Sequence, residues 1–154
     1  MRGAFVATLV ALVMATGVPN SQAEHRIHRG PCDEDRYDVK PAMGHETVHA
    51  KVAALIGCAV RRWDVDGGLS KALDVAQCES GLWPWAVGGD NLGVFQHKAR
   101  YWAGRVHALL RREWFYQLRD GKPDTIPSAF NARANVLVAI RMVHGGGWGP
   151  WSCA

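Results

Sequence analysis

Cys78-Glu79-Ser80-Gly81, followed fourteen residues after the glutamate by Gly93-Val94-Phe95-Gln96, is the stretch that decides how this chain is read. Leu69, Leu73 and Ala76 precede it with helical spacing, so Glu79 is expected at the end of an apolar helix, with Gly81 as its stop. Trp83 and Trp85 follow at once. A carboxyl group among apolar and aromatic neighbours is poorly hydrated, and a group so placed can hold and deliver a proton. A proton donor in an aromatic cleft is what cleavage of a glycosidic bond requires. Taken alone, Glu79-Ser80-Gly81 is more simply a helix end with a glycine cap.

Upstream, the first 23 residues read as a signal peptide. Arg2 supplies the positive end, Ala4 to Val18 the apolar core and Ser21-Gln22-Ala23 a small-residue cleavage site. The apolar run is too short for a spanning helix, so no membrane span is expected after its removal. Taking 23 residues from 154 leaves 131, enough for one domain with a core and too few for two. Residues 24–43 mix charge with Arg29-Gly30-Pro31 and Lys40-Pro41 and form an irregular arm; residues 44–154 form the domain.

All four cysteines, Cys32, Cys58, Cys78 and Cys153, follow the cleavage site, where an exported protein meets oxidising conditions. Two bridges are expected, with three pairings formally open. A four-cysteine zinc site would want a Cys-x-x-Cys pair, and none is present. Without Arg2, 17 basic residues stand against 14 acidic ones. Much of the excess is local: Lys98, Arg100, Arg105, Arg111, Arg112 and Arg119 face only Glu113 and Asp120. Such a face is usually just solvated, though outside the cell it suits an anionic wall polymer. The compartment and the lack of a recognition motif exclude nucleic acid.

Val48, Val52, Leu55, Ile56, Ala59, Val60 and Trp63 mark a first helix, which Asp66-Gly67-Gly68 is expected to end. Ser70 suits the N-cap of the helix leading to Glu79. Glycines and Asn91 break any period from Leu82 to Gln96, giving a loop or small hairpin. Tyr101, Trp102, Val106, Leu109, Leu110 and Trp114 form a third stripe. Ser128 is expected to start a last helix carrying Phe130, Ala134, Leu137, Val138 and Met142, ended by Gly145-Gly146-Gly147. The fold class is therefore mainly α, with short helices packed round the one bearing Glu79 and little or no strand.

Glu79-Ser80-Gly81 with Pro84 and Ala86, Leu92-Gly93-Val94-Phe95-Gln96, Asn131 with Ala134-Asn135, and Gly147-Trp148-Gly149-Pro150-Trp151-Ser152-Cys153 together resemble the lysozyme-like superfamily. The likeness is to small secreted lytic transglycosylase (SLT-like) and resuscitation-promoting-factor-like domains of actinobacterial type. It runs from about Val48 to Ala154 and implies a single lysozyme-like α+β domain stapled by disulfides. The resemblance pairs Cys78 with Cys153, which leaves Cys32 for Cys58.

The resemblance implies that Glu79 is the one catalytic residue. It would protonate the leaving oxygen of the MurNAc-β-1,4-GlcNAc bond of peptidoglycan. The substrate's N-acetyl group would then assist, and Glu79 would act as base toward the sugar's primary hydroxyl, leaving a 1,6-anhydro end. Ser80, Trp83, Trp85, Gly93, Phe95 and Gln96 are the expected substrate-binding residues: Ser80 as a partner of the carboxyl, Gly93 for close approach of backbone to sugar, and Gln96 to fix the loop or a substrate amide. Asp90, in Gly88-Gly89-Asp90-Asn91, is the possible helper of a water-using muramidase, although that tetrapeptide is more simply a turn. No cofactor or metal is expected, and the partner is the glycan strand, met by a secreted monomer. The tyrosine motif that supports the glutamate in larger SLT enzymes is missing; Trp148 or Tyr101 are the substitutes available.

Two rival readings come from other classes. His45-Glu46-Thr47-Val48-His49 is a literal His-Glu-x-x-His, which on a helix puts two imidazoles on one face as a zinc metalloprotease requires, with Glu79 as a conceivable third ligand. Its place at the start of the first helix, with no strand before it to hold a peptide, favours solvated helix-start histidines instead. The other rival is a wall-binding protein on the same scaffold, without catalysis.

Overall fold

A computed structural model describes Cys32, residues 35–112 and residues 126–154. The signal peptide 1–23, the arm as far as Pro31 with Asp33 and Glu34, and Glu113, Trp114, Arg119 and Asp120 lie outside the described residues. Four α-helices carry the fold: α1 His45–Arg62, α2 Gly68–Ser80, α3 Ala99–Arg112 and α4 Ala132–Gly146. Between α2 and α3 lies a small antiparallel sheet of two-residue strands, β1 Val87–Gly88, β2 Asn91–Leu92 and β3 His97–Lys98, in the order β1-β2-β3. The fold is mainly α, and its strands are too short to leave any alternating pattern in the sequence.

The helices do not pack round α2: α1 and α3 pack on α4, and α2 packs on α1. Nine of the fifteen residues of α4 are buried, including the unbroken run Ala134–Ile140, so this helix has almost no solvent face. By contrast α2 buries only Ala72, Val75 and Ala76. Leu69, expected on its apolar face, is 41% exposed, because the buried stripe runs one position away from it. Val48, Val52, Leu55, Ile56 and Ala59 of α1 pack toward α4 and α2, while Trp102, Val106 and Leu109 seat α3 on α4. Tyr101 stands outside that stripe at 48% exposure.

Three helix boundaries differ from expectation. The first helix ends at Arg62, with Trp63 extended and its N–H donating to Ala59 O, and Asp66-Gly67-Gly68 opens the next helix instead of closing this one. Gly67 and Gly68 both have positive φ, which lets the chain reverse directly into α2; Ser70 lies inside the helix and caps nothing. At α4 the cap is Asn131, whose Oδ1 accepts from Ala134 N at 2.9 Å. Ser128 and Phe130 form the turn before it, with Phe130 N donating to Ser128 Oγ.

Two disulfides join Cys32 to Cys58 and Cys78 to Cys153. The first ties the arm, where Asp35–Tyr37 forms one 3-10 turn, to the C-terminal half of α1; the second ties the end of α2 to the segment after α4. Closing loops of 26 and 75 residues is worth roughly 3–5 kcal/mol each in chain entropy. Among the described residues no helix is long and apolar enough to cross a membrane.

Candidate active site

Glu79 is the last residue but one of α2 and is half-buried. The helix stops there because Gly81 takes a left-handed conformation (φ 62°), donating its N–H to Gln77 O at 2.8 Å. Leu82 continues in the left-handed region (φ 60°), and Gln96, across the loop, does the same (φ 44°). Side chains rarely adopt this backbone, at a cost of roughly 1–3 kcal/mol each. The strain is held by a hydrogen-bond network that joins the end of α2 to the 93–97 turn.

Ser80 is the first joint of that network. Its hydroxyl donates to Val94 O at 2.7 Å, lies 3.2 Å from Ala76 O, and accepts from Trp83 N at 3.2 Å. It therefore anchors the turn instead of bonding the Glu79 carboxyl, since its one hydrogen is committed to backbone. Gln96 also fixes the loop, donating from Nε2 to Gly93 O at 2.8 Å and Ala86 O at 3.3 Å.

Gly93 is buried, with φ 77°, and its bare Cα lies against Asn135 and the carbonyl of Ala129. The close approach that it permits is to α4, not to a sugar. Phe95 is wholly buried between Trp148 and Trp151, so its side chain is core and not a substrate contact. Asp90 is exposed in the β1–β2 turn, where its carbonyl accepts from Ala99 N at 2.8 Å.

Neither substitute for the missing tyrosine reaches Glu79. Trp148 Nε1 donates to Asp66 O at 2.8 Å, and Tyr101 stands beneath the guanidinium groups of Arg100 and Arg105. Among the described residues the Glu79 carboxylate takes part in no hydrogen bond or ion pair.

Asn135 and His97 hold the turn from below, and local sequence pattern shows neither role. Asn135, wholly buried on α4, accepts from Phe95 N at 2.9 Å and donates to Leu92 O at 3.1 Å and Ala129 O at 2.8 Å. His97, also wholly buried, lies 3.1 Å from Asn135 O through Nε2 and 2.7 Å from Arg105 Nη1 through Nδ1. Arginine can only donate, so Nδ1 accepts and Nε2 carries the hydrogen: the ring is neutral. Burial, with the Arg105 charge beside it, pushes the His97 pKa down to about 3, against a smaller opposing effect of the Asn135 carbonyl. The one available signal is a polar residue, Asn135, inside the apolar run of α4.

Trp83 and Trp85, which follow Glu79 closely in the chain, belong to an aromatic cluster. His45 stacks on Trp83 (centroids 5.0 Å, 25° between planes), His49 meets Trp83 edge-on at 6.3 Å, and Trp83 meets Trp85 edge-on at 5.0 Å. One face of Trp83 is thus occupied by an imidazole. The two histidine rings lie 3.9 Å apart, and His49 Nε2 is shut from solvent with no hydrogen-bond partner. Desolvation, then the neighbouring His45, lowers the His49 pKa. His49 is therefore a packed side chain, not a solvated one. Among the described residues no three His, Cys, Asp or Glu side chains converge to hold a metal ion, so Glu79 does not complete a site with this pair.

The chain matches no protein-family model, no curated protein and no solved structure.

Proposed function

We propose that this chain is an exported peptidoglycan-cleaving lytic transglycosylase with Glu79 as its single catalytic residue. The observation that carries the reading is the Ser80 Oγ to Val94 O hydrogen bond, 2.7 Å long, which brings the helix end bearing Glu79 against the Gly93–Gln96 turn. The two motifs of the sequence are thereby one structural unit. Trp85 supplies an aromatic edge beside it, and the apolar C–H faces of a sugar ring suit such a surface.

In this mechanism the Glu79 carboxyl gives its proton to the glycosidic oxygen as the bond to the anomeric carbon breaks. The substrate's own N-acetyl oxygen bonds to that carbon and carries its charge. Glu79, now a carboxylate, takes the proton of the C6 hydroxyl, whose oxygen displaces the N-acetyl group and closes the 1,6-anhydro ring. One carboxylate is enough, which accords with Asp90 being an exposed turn residue. The two bridges suit an exported protein.

Mass spectrometry of fragments released from purified peptidoglycan tests the proposal. Anhydro-ended muropeptides are expected, and Glu79→Gln is expected to abolish their release with little change in folding or glycan binding. Reducing ends, together with equal loss in Asp90→Asn, would support a muramidase; glycan binding with no release would leave a wall-binding protein.

A further inference from the structure

Between α3 and the C-terminal half of α4 lies a groove of about 500 Å³, lined by none of the residues assigned to the Glu79 site. Arg105 and Arg111 enter it from α3 and Arg141 from α4, and no lining residue is acidic. Gly146 and Gly147 keep its floor open, since a Cβ at either would meet nothing within 4 Å. A volume of this size falls in the range of small-ligand sites, roughly 300–1,000 Å³.

Arg105 is the informative member. Its guanidinium is half-buried, yet the partners it has are neutral: the Nδ1 of His97 at 2.7 Å and the ring of Tyr101 at 5.7 Å. Burial works against its charged form, Tyr101 opposes this in part, and among the described residues no carboxylate does. A partly desolvated cation without a counter-charge is costly in a folded protein. Capping the α4 carbonyl ends does not account for it. Arg105 is instead held toward β3 by His97.

We propose that this groove is a second binding site, for an oxyanion (a carboxylate or a phosphate) carried by the cell-wall polymer on which the protein acts. Planar guanidinium groups bind both anions through paired, charge-assisted hydrogen bonds, and three of them round one concavity define a site rather than a diffuse field. Carboxylates of peptidoglycan stem peptides and phosphodiesters of attached wall polymers are the two sources with this chemistry. The inference does not depend on Glu79, so its failure would leave the proposed activity standing.

The test is calorimetric titration of the full chain at low salt with inorganic pyrophosphate and, separately, with citrate. Binding of either, weakened at least tenfold in Arg111→Ala and in Arg105→Gln but unchanged in Lys71→Ala, is the expected result. Lys71 faces Asp66 elsewhere and controls for net charge. Arg111 makes no contact with the His97 network, so its variant remains decisive if Arg105→Gln unfolds. The source follows from retention on purified cell walls before and after acid stripping of their phosphate polymers. Retention lost on stripping assigns phosphate; retention kept, yet Arg111-dependent, assigns carboxylate. No binding of either anion, or equal weakening in Arg111→Ala and Lys71→Ala, would overturn the proposal.

Discussion

The Gly93–Gln96 turn and the His45–Trp83–Trp85 cluster are two walls built by different physics. On the Gly93–Gln96 side the backbone is held by directional hydrogen bonds, from Ser80 to Val94, from Gln96 to Gly93, from Phe95 to Asn135 and from Asn135 to Leu92, while the Phe95 ring packs between Trp148 and Trp151. On the His45–Trp83–Trp85 side the described joints between side chains are ring contacts, and one nitrogen, His49 Nε2, has no partner. Hydrogen bonds fix position and are costly to break when buried, whereas stacked rings tolerate sliding and replacement. Under the proposed activity, the first wall would hold the reacting group in place and the second would accept the glycan chain.

Asn135→Ala is the sharpest way to break this contrast. It strands the Phe95 amide and the Leu92 and Ala129 carbonyls together, and at about 1–3 kcal/mol for each unsatisfied buried group the loss should reach roughly 3–5 kcal/mol in urea denaturation. A loss below about 1 kcal/mol would mean that the turn is held by something else.

Acid should act on the same wall. His97 is neutral in the fold with a pKa of about 3, but has an ordinary pKa of 6.5 when unfolded. Between those values the unfolded chain binds the extra proton, so stability is full above pH 6.5 and falls as pH drops toward 3, by up to about 1.4 kcal/mol per pH unit. His49, also lowered, adds in the same direction. In His97→Gln the pH slope of stability over this window should be markedly shallower; an unchanged slope would assign the acid sensitivity elsewhere.

Ser80→Ala should cost less, about 1–2 kcal/mol, because it removes one strong bond and leaves Val94 O unsatisfied. Its effect on peptidoglycan cleavage should exceed its effect on melting, since the residue positions the helix end that carries Glu79. The reverse ordering would make it a purely structural residue. Smallest of all is His49→Leu on the opposite wall. Replacing a desolvated, unpartnered nitrogen by an apolar group should leave stability within about 0.5 kcal/mol or raise it slightly. A loss above 2 kcal/mol would show that this wall too depends on polar bonds.

The same division explains how much of the molecule is legible in its sequence. Helices α1 and α3 announce themselves through apolar spacing, because their burial repeats with the helical period, and α4 through a long, almost continuous apolar run. Their ends do not: Ser70 and Ser128 are good caps in isolation, but two glycines with positive φ and the side chain of Asn131 take those roles. The directional wall is harder still to read. Asn135 meets partners 40 and 43 residues away, and His97 one 38 residues away, so the only local mark is a polar residue in the apolar run of α4. Glu79 stands out as a residue type in a pattern, while Phe95 and Gly93, quoted in the same pattern, prove to be core and packing.

The two bridges also follow one another along the chain. Cys32 pairs with the next cysteine in the chain, Cys58, and Cys78 with the next after that, Cys153, so the loops lie side by side and never interlace. A chain oxidised as it emerges, amino end first, can close the first loop before Cys78 arrives, and Cys78 then has no free thiol to mispair with. At roughly 5–20 residues per second, the 75 residues that separate Cys78 from Cys153 correspond to a delay of about 4–15 s. Throughout that interval the helix end bearing Glu79 is untethered. For a chain oxidised in this order, native pairing needs no bridge to reshuffle, and the tether at the end of α2 closes last.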